Sequence, residues 1–537
     1  MITIRDIALP AQHDPSSLIY HAASILRIPA SEITHLEIRR RSIDARRKDR
    51  IQYIYTVDVA TLHSENRVLR QCRSSKVGPA KNPVYRIPKP VMDPAERPVV
   101  VGFGPGGMFA GLALAMAGLR PIVLERGQDV DARHAAVAQF WESGTLNPES
   151  NVQFGEGGAG TFSDGKLNTG VKNERMGWIL RQLVQFGADE SILYDAKPHV
   201  GTDVLRTVVR NLRERILSLG GEVRFQTKLT GLRQENGKLI GIETASGGIP
   251  SELSCSRLIL APGHSARDTF EMLLASGLSM EPKPFSMGVR IEHPQADINA
   301  AQYGPMWKEL GLPPADYKLS VHLPDGSSAY TFCMCPGGQV VAAASETGRV
   351  VTNGMSNFAR EGENANSAVL VTLNPEDFPD RSVLGGMHWQ REIEAAAFRA
   401  GGANYRAPAQ LVGDFLQRRA SAALGGIRPT YRPGVTLCDL HSVLPERITR
   451  VLEQAIPAFG KQLQGFDRAD AVLTAPEARS SSPVRILRGA DLQSPVLRGL
   501  FPCGEGAGFA GGIMSAASDG LACAEALIAS LTEDSGT

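Results

Sequence analysis

Two cysteines one residue apart, Cys333 and Cys335, form a sulfur pair that could do chemistry. They stand in the stretch AYTFCMCPGGQVV, just before a Pro-Gly-Gly turn. The pair could be a redox couple, half of a metal site, or two small apolar side chains. In a strand, the two side chains would lie on one face about 6.6 Å apart, whereas a disulfide needs Cβ atoms within about 4.5 Å.

No partner set for the two sulfurs stands out in the sequence. A zinc site would need two further cysteines or histidines at matching spacing, and we predict no metal site. We therefore expect Cys333 and Cys335 to be small side chains on a strand. A thiol that touches a substrate is the alternative.

A glycine-rich loop, GFGPGG, has the residue types and spacing that bind a dinucleotide. It follows the apolar stretch PVVV and precedes an Ala-, Gly- and Leu-rich segment, which is the pattern of strand, loop and helix. The next strand, PIVLERG, ends on an acid at the spacing of one that hydrogen-bonds ribose hydroxyls. The predicted contacts are Gly102, Gly104, Pro105, Gly106, Gly107, Glu125 and Arg126.

The far end of the chain indicates which dinucleotide binds. GLFPCGEGAGFAGGIMSAASDG resembles the carboxy-terminal FAD motif of two-part flavoproteins, in which the acid lies near the pyrophosphate and a helix start faces the flavin. LILAPG resembles the strand that returns beneath the FAD in such proteins. The three pieces occur in the order of one fold, so we expect FAD. This resemblance adds Ala261, Gly263, Gly504, Glu505, Gly512, Ile513 and Met514.

A fourth stretch, NVQFGEGGAGTFSDGKLNTG, is similar in place to the segment that wraps the pyrophosphate and flavin edge in related proteins. The other interpretation is a flexible surface loop, but apolar residues at 154, 162 and 167 favour an anchored one. Residues 228 and 229 correspond to a position where such folds pair backbone groups with adenine. These resemblances imply contacts from Gly158, Gly160, Thr161, Ser163, Lys166 and Leu229.

The chain resembles a family of uncharacterised bacterial FAD-dependent dehydrogenases, distant relatives of geranylgeranyl-reductase and aminoacetone-oxidase-like flavoproteins. The resemblance covers most of the chain from about residue 35 onward. It implies a bound FAD and an oxidoreductase fold, and it implies no particular substrate. The similar segments are FGEGGAGTFSDGKL, APGHSARDTF, PFSMGVRIEHPQ, TFCMCPGG, GMSNFAREGENANSA, SSPVRI and GEGAGFAGGIMSAASDG.

The elements that must position these residues predict an α/β fold. We expect a discontinuous FAD-binding Rossmann domain of the glutathione-reductase type, with an inserted α+β substrate domain and a small amino-terminal α+β domain. A helix over SSLIYHAASILRIP with a serine cap and two strands belong to the small domain. The predicted ranges are 1–90 for the small domain, 97–284 and 476–537 for the FAD-binding domain, and 285–475 for the inserted domain.

Bulk composition excludes several classes of protein. The 537 residues carry a net charge of +1, so no overall field favours nucleic acid or membranes. The apolar runs are too short or too interrupted for a membrane span, and the amino terminus has no pattern of a secretory signal. Seven scattered cysteines suit reduced thiols. We expect a cytoplasmic protein, and the sequence leaves its oligomeric state open.

The sequence does not single out a catalytic acid or base. Each candidate fits a structural role equally well, as a cap or as a partner of an opposite charge, so the catalytic residues stay unassigned. The candidates are His264, Arg290, Glu292, Glu346, Arg479 and Arg485.

We expect an FAD-dependent oxidoreductase that transfers hydride between a small or medium organic substrate and flavin N5. No second GxGxxG follows a strand, so NAD(P)H would bind only transiently. The alternatives are an NAD(P)H-dependent flavin monooxygenase and a flavin-containing redox sensor or nucleic-acid-associated protein. The basic run RRRSIDARRKDR contains interspersed acids, which favours a solvated hairpin over a nucleic-acid surface.

Overall fold

The computed structural model describes residues 1–72, 74–81, 83–90 and 96–531. The amino-terminal unit is an antiparallel sheet of strand order β2-β3-β1-β4 with two helices. In chain order its elements are β1 (Ile2–Pro10), α1 (Ser17–Leu26), a 3-10 turn (Ala30–Glu32), β2 (Ile33–Asp44), β3 (Gln52–Thr61), α2 (Glu65–Cys72) and β4 (Val77–Pro79).

Local chemistry explains the start of α1, and one detail of the prediction is wrong there. The Ser16 side chain makes no capping hydrogen bond. Its backbone N–H instead donates to the Asp14 carboxylate at 2.9 Å. The apolar face of α1 then covers the sheet, since Leu18, Ala22 and Leu26 are all buried.

The basic hairpin between β2 and β3 is largely neutralised by acids. Arg46 and Arg47 pair with Asp44 and Asp49 within the exposed turn. On β2, Arg41 instead reaches out of the unit to Asp195. Acids thus offset the charge of Arg41, Arg46 and Arg47 within this run.

Arg41 docks the amino-terminal unit on the rest of the chain. Its guanidinium donates to both carboxylate oxygens of Asp195, at 2.8 and 3.0 Å. Its backbone N–H donates to the Tyr194 carbonyl at 2.7 Å, and the Ala196 N–H donates back to the Arg41 carbonyl at 2.8 Å. A two-point ion pair flanked by backbone bonds fixes orientation as well as distance.

The second unit begins with a strand, a glycine loop and a helix, as predicted. In chain order its elements are β5 (Val99–Val101), α3 (Pro105–Met116), β6 (Ile122–Leu124), α4 (Val130–Ser143), a 3-10 turn (Gly158–Phe162), α5 (Glu174–Gln185), a 3-10 turn (Glu190–Leu193), α6 (Thr202–Ser218), β7 (Glu222–Arg224), β8 (Thr227–Glu235), β9 (Lys238–Ser246), β10 (Ile249–Ser254), β11 (Leu258–Leu260) and α7 (Arg267–Ala275).

The third group of elements contains a large antiparallel sheet. In chain order it consists of β12 (Met280–Pro282), β13 (Phe285–Pro294), α8 (Gln295–Tyr303), a 3-10 turn (Pro305–Trp307), β14 (Ser320–His322), β15 (Ser328–Cys335), β16 (Gln339–Ala342), β17 (Thr352–Met355), β18 (Asn364–Leu373), a 3-10 turn (Pro375–Asp377), α9 (Gly385–Ala400), β19 (Ala407–Leu411), α10 (Val412–Leu416), β20 (Val435–Leu437), a 3-10 turn (Leu440–Ser442), α11 (Glu446–Gln462) and β21 (Val472–Glu477). The chain then returns through β22 (Val484–Ile486), β23 (Leu500–Pro502) and α12 (Ile513–Ser530).

A parallel sheet of order β23-β11-β5-β6-β7 forms the Rossmann layer. Strands β11 and β23 pair although more than two hundred residues separate them in the chain. The layer is therefore discontinuous in the chain, as predicted. Because the strands are parallel, the loops that follow β5, β6, β11 and β23 meet at one edge of the sheet. This edge is where a doubly wound α/β fold binds its ligand.

A seven-stranded sheet of order β14-β15-β18-β13-β21-β19-β20 lies on the other side of that edge. Its central strands β13 and β18 are buried almost throughout, and α11 packs on one of its faces. The structure is thus the α/β fold with an inserted α+β domain that the sequence predicts. The predicted boundaries at residues 90, 285 and 475 stay predictions, and β21 runs across the last of them.

Helix α12 is long and apolar enough, by length and composition, to cross a membrane. Eleven of its eighteen residues are buried inside the protein. It packs against α3 and belongs to the core beneath the parallel sheet. These contacts are those of a core helix.

The contact between α12 and α3 gives a stability prediction with a definite sign. A Cβ at Gly520 would lie 2.0 Å from the Gly106 carbonyl oxygen. Helix propensity alone would make Gly520→Ala stabilising by about 1 kcal/mol. Because the helices must separate to admit the methyl group, we expect a net loss of about 2 kcal/mol instead. Thermal unfolding of the FAD-containing protein measures it.

The matched control for this prediction is Gly170→Ala. Nothing lies within 4 Å of a Cβ at Gly170, and its φ is not positive. We expect that variant to unfold at the wild-type temperature. A Gly520→Ala protein that unfolds at or above the wild-type temperature would contradict the close helix contact.

Candidate functional site

A cavity of about 330 Å³ lies between the ligand-binding edge of the parallel sheet and the inserted sheet. Backbone loops form one wall, and side chains of β15, β17 and β21 form the opposite wall. Seventeen of the twenty predicted contacts line it, namely Gly102, Gly104, Pro105, Gly106, Glu125, Arg126, Gly158, Gly160, Ser163, Lys166, Leu229, Ala261, Gly263, Gly504, Glu505, Gly512 and Ile513.

Three predicted contacts lie outside the cavity wall. Gly107 packs α3 on the strand, since a Cβ there would lie 1.8 Å from the Gly102 carbonyl oxygen. The Thr161 hydroxyl is buried and donates to the Glu156 carbonyl at 3.2 Å. Met514 is buried in the core beneath the sheet. These three residues pack behind the loops that line the cavity. The sequence pattern alone does not distinguish such a supporting residue from one that lines the cavity.

The Glu125 carboxylate joins three loops of the cavity. Its Oε2 accepts the Phe103 N–H at 2.8 Å, and its Oε1 accepts the N–H groups of Gly127 at 2.8 Å and Gly155 at 2.9 Å. The side chain is buried, so these charge-assisted bonds are formed away from water. Glu125 therefore shapes the loops in addition to facing the cavity, a role that its spacing did not reveal.

Two helices begin at the cavity without a side-chain cap. Helix α3 starts after Gly104, and α12 starts after Gly512, and neither residue supplies a capping hydrogen bond. The first N–H groups of a helix need acceptors, and the helix dipole favours negative charge there. A diphosphate at α3 and an electron-rich carbonyl at α12 would satisfy these donors.

The backbone around the cavity leaves room that side chains would fill. Gly512 has φ +94, and a Cβ there would meet nothing within 4 Å, so it would project into the cavity. Gly102 has φ +91, and a Cβ there would lie 2.1 Å from the Ala261 carbonyl oxygen. The two uncapped helix starts and this cradle fit a bound dinucleotide such as FAD.

Charged residues surround the end of the cavity that carries Leu229. The Arg126 guanidinium donates to both oxygens of Asp268, at 2.8 and 2.9 Å, and also binds Glu149. It lies 4.1 Å from the centre of the Phe154 ring. Lys228 pairs with Glu149 at 3.0 Å. Arg126 is thus held flat over an aromatic ring at the predicted adenine end.

The inserted sheet supplies a wall that the sequence only partly predicted. Phe332 and Cys333 come from β15 and Glu477 from β21, which are strands of this sheet. Asn353 comes from β17, which pairs with β16 in a separate two-stranded sheet. Phe332 is 42% exposed, which is high for a large apolar side chain. The antiparallel register that places these residues on one wall depends on long-range pairing, so spacing in the sequence did not show it.

The two cysteines do not occupy a regular strand as predicted. Phe332 pairs with Ala368 and Cys335 with Asn366, so β15 has one residue more than β18 between these pairs. This is a β-bulge. Cys333 has φ +44, a left-handed conformation that β-strand residues rarely adopt. The regular i,i+2 geometry of our prediction is therefore wrong, and Cys333 faces the cavity.

Among the acid–base candidates, five are held in ion pairs or buried bonds, including Arg485, which pairs with Glu281 at 3.5 Å. Arg290 donates to both oxygens of Glu477, at 3.0 and 2.8 Å. Glu292 is buried and accepts from Thr430 and Asn364. Glu346 and Arg479 belong to a buried cluster with Arg267 and Glu394. Arg485 lies 5.4 Å from the Phe509 ring centre. These contacts are structural.

His264, one of the acid–base candidates, and Glu505, predicted only as a cofactor contact, both line the cavity and both have shifted pKa values. Burial, with Arg479 nearby, lowers the pKa of His264 to about 4, so the ring is neutral at pH 7. Its Nε2 is buried without a hydrogen-bond partner. Burial raises the pKa of Glu505 to about 7, although the Gly512 N–H opposes this.

One cluster of possible metal ligands occurs elsewhere in the described residues. Ligand atoms of Cys503, Asp519 and Cys523 lie within 4.8 Å of one another. The Arg488 guanidinium binds both oxygens of Asp519, at 3.0 and 2.7 Å. Both carboxylate oxygens of Asp519 are therefore already bound by a cation, and the cluster needs no metal ion to neutralise its charge.

Comparisons with known proteins agree with this site. Residues 284–480 match the family described as FAD-dependent protein, C-terminal domain-like, and residues 1–60 match a domain of unknown function. An uncharacterized protein of Clostridium beijerinckii is 48% identical over 531 residues, which cover 98% of each chain.

Solved structures with a similar fold are more distant. A geranylgeranyl bacteriochlorophyll reductase-like protein of Thermoplasma acidophilum is 13% identical, with a TM-score of 0.38, over 81% of this chain and 78% of that one. The glycerol-3-phosphate dehydrogenase of Bacillus halodurans, complexed with FAD, is 11% identical, with a TM-score of 0.34, over 81% and 64%.

The cradle and the family match define an FAD-dependent oxidoreductase. The chain belongs to the same family as the Clostridium beijerinckii protein, a family of uncharacterised FAD-dependent proteins.

The three bonds of Glu125 predict the effect of removing its carboxylate. Glu125→Ala leaves the N–H groups of Phe103, Gly127 and Gly155 without their acceptor. Hydrogen bonds to a charged group contribute about 1.5–3 kcal/mol each. We therefore expect the Kd for FAD to rise at least about tenfold, as measured by flavin fluorescence on titrating flavin-free protein with FAD. The exposed Glu235→Ala is the control and should bind as wild type does.

The raised pKa of Glu505 predicts a pH-dependent stability. The folded protein holds this proton up to about pH 7, whereas an unfolded Glu loses it near 4.5. Glu505 therefore destabilises the folded state increasingly from pH 4.5 to 7, and fully above that. In flavin-free protein, Glu505→Gln should unfold at a higher temperature than wild type at pH 8, and the difference should shrink at pH 5. An equal difference at both pH values would contradict this.

Proposed function

We propose that this protein transfers a hydride between a small or medium organic substrate and N5 of its bound FAD. The observation that carries the proposal is the cavity's two unlike walls. One wall consists of backbone loops and uncapped helix starts that suit a dinucleotide, and the other consists of side chains from the inserted sheet. A substrate site beside the cofactor needs such a second wall.

The cofactor's orientation follows from what each end of the cavity offers. Gly104 and the start of α3 lie in the middle of the wall, where the diphosphate would bind. Leu229 and Arg126 mark the adenine end, and the start of α12 at Gly512 marks the flavin end. When bound there, FAD supplies a ring that accepts or gives a hydride. Its reacting end would then face the inserted sheet.

The substrate would contact side chains of the inserted sheet and the loop that carries Lys166. Phe332 offers an exposed ring, and Asn353 offers an amide. The Lys166 ammonium donates to the Met334 carbonyl, which holds its charge beside this wall. An apolar ring, an amide and a cation fit a substrate with an unsaturated or apolar part and a polar group.

Two side chains of the loop wall can assist the transfer, Glu505 by exchanging a proton near neutral pH and His264 by accepting a hydrogen bond. Glu505, with a pKa of about 7, can take up or release a proton at its carboxyl group. His264 stays neutral, and its Nε2 is free to accept a hydrogen bond. A hydride transfer changes the charge of the substrate, so a nearby proton donor or acceptor lowers the barrier.

We further propose a cytoplasmic protein that takes NAD(P)H only transiently and does not bind nucleic acid. The seven cysteines are all free thiols, which suits a reducing compartment. In the basic run, Arg41, Arg46 and Arg47 are paired with acids. This pairing reduces the cationic surface that a phosphate backbone would need, which supports the proposal.

An anaerobic titration with NADPH and then NADH tests the electron donor. Flavin absorbance is followed in the purified FAD-containing protein. Rapid bleaching would support hydride transfer from a nicotinamide that binds without its own Rossmann domain. If the flavin stays oxidised, candidate small-molecule donors are titrated in the same way. Hydride transfer is refuted if no organic donor reduces the flavin while a one-electron reductant such as dithionite does.

The monooxygenase alternative is separated in the same apparatus. After reduction, the protein is mixed with oxygenated buffer, with and without the donor's oxidised product. In a dehydrogenase, the reduced flavin reduces oxygen to hydrogen peroxide, and no oxygen atom enters an organic molecule. Incorporation of labelled oxygen into an organic product would favour the monooxygenase.

A further inference from the structure

The bulge in β15 brings two thiols together at the cavity wall. Cys333 lines the cavity and is partly exposed, whereas Cys335 is fully buried behind it. In a regular strand the two sulfurs would stand about 6.6 Å apart. Here the Cys335 thiol donates to the Cys333 carbonyl oxygen, 3.3 Å from its Sγ, so the buried sulfur lies against the backbone of Cys333.

Three donors hold the bulge in this conformation. Arg290 Nη1 donates to the Cys333 carbonyl at 3.2 Å, and Lys166 donates to the Met334 carbonyl. The thiol of Cys335 is the third donor. A left-handed residue that is not glycine costs about 1–2 kcal/mol. A strained conformation that is held so fully, at a cofactor cavity, indicates a functional use.

We propose that Cys333 and Cys335 form a redox-active dithiol that reduces small disulfides at the cavity wall. This activity goes beyond the hydride transfer proposed above and does not depend on it. Cys333 is the attacking thiol because it faces the cavity, and Cys335 is the resolving thiol because it is buried with its Sγ against the Cys333 backbone.

The reaction balances with a small disulfide, RSSR, as the oxidant. The Cys333 thiolate attacks one sulfur, so a Cys333–SR bond forms and RS⁻ leaves. Cys335 then loses its proton and attacks the Cys333 sulfur, which expels the second RS⁻. The protein pair loses two electrons and becomes a disulfide. The two thiolates take up the Cys335 proton and one proton from solvent, which gives two RSH.

The surroundings favour ionisation of Cys333. The neighbouring Cys335 thiol is the largest influence, and Arg290 and Lys166 add to it, so the pKa of Cys333 falls to about 6 although burial opposes this. The same pairing raises the pKa of Cys335. The proton therefore leaves Cys333 first, which is the order that the reaction needs.

Charges of both signs face Cys333 from the elements packed around it. Those that lower its pKa outweigh those that raise it. The cations are Arg290 from β13 and Lys166, and the anions are Asp164 and Glu505. Asp164 is itself paired with Arg360 at 2.5 Å, which weakens its effect on the thiol.

The test uses the FAD-containing protein and 4,4′-dithiodipyridine as the disulfide. Released thiopyridone is followed by absorbance, and the protein product by intact mass and peptide mapping. Wild type should release two thiopyridones in a fast phase and end with a Cys333–Cys335 bond. Cys335→Ser should release one and retain a mixed disulfide on Cys333. Cys333→Ser should lose the fast phase.

Cys438→Ser is the matched control. Cys438 is also partly exposed, but burial raises its pKa to about 11, so its removal should leave the fast phase unchanged. All variants should keep their FAD, because neither cysteine belongs to the glycine cradle. Retained FAD shows that a lost fast phase is not a loss of fold.

The pH profile of the fast phase separates an activated thiol from an ordinary one. The rate should rise to half of its maximum near pH 6, the pKa of Cys333. The rate at pH 7 is a poorer readout, because nucleophilicity falls as the thiol pKa falls.

Four results would each overturn the proposal. They are a fast phase that persists in Cys333→Ser, a stable mixed disulfide on Cys333 in wild type, a half-maximal rate near pH 8.5, and no fast phase while FAD is bound.

Discussion

The buried carboxylate of Glu125 connects the loops on which the FAD cradle depends. It accepts N–H groups from Phe103, Gly127 and Gly155, which belong to three separate loops at the edge of the parallel sheet. The loops that carry Phe103 and Gly155 are rich in glycine, and Arg133 also donates to carbonyl groups of the second one. One charged acceptor with three donors therefore sets their relative positions, and the uncapped start of α3 gains a fixed location for a diphosphate.

A second buried charge positions the inserted domain. Glu394 of α9 accepts two bonds from Arg267 and two from Arg479, which lie on the FAD-binding side. Burial acts to raise the pKa of Glu394, but the two arginines outweigh it and lower the pKa to about 2. Because removing one partner would leave an uncompensated buried charge, this cluster holds the inserted sheet, and with it Phe332 and Cys333, against the cavity.

Local patterns in the sequence predicted the cradle well, since glycine spacing and strand-loop-helix order are local. Local alternation also predicted the two strands β2 and β3. The return of the chain through β23 was predicted from the resemblance of its motif to that of two-part flavoproteins. The sequence predicted a regular strand at Cys333, where the structure has a bulge. The bulge depends on pairing with β18, more than thirty residues away, so local patterns could not show it. The three-loop role of Glu125 and the cluster around Glu394 also depend on tertiary contacts. Spacing of the first glycine loop and the resemblance to two-part flavoproteins therefore predicted the cofactor side of the site and left its substrate side open.

We propose that FAD lies across the glycine loops 102–107, 155–166 and 504–513, with its reacting end at the inserted sheet. Amide hydrogen exchange, compared between FAD-loaded and FAD-depleted protein, tests it most directly. We expect the amides of residues 102–107, 155–166 and 504–513 to exchange more slowly when FAD is bound, and those of residues 328–335 in β15 as well. Protection confined to the glycine loops, with no change in β15, would contradict the placement of the reacting end.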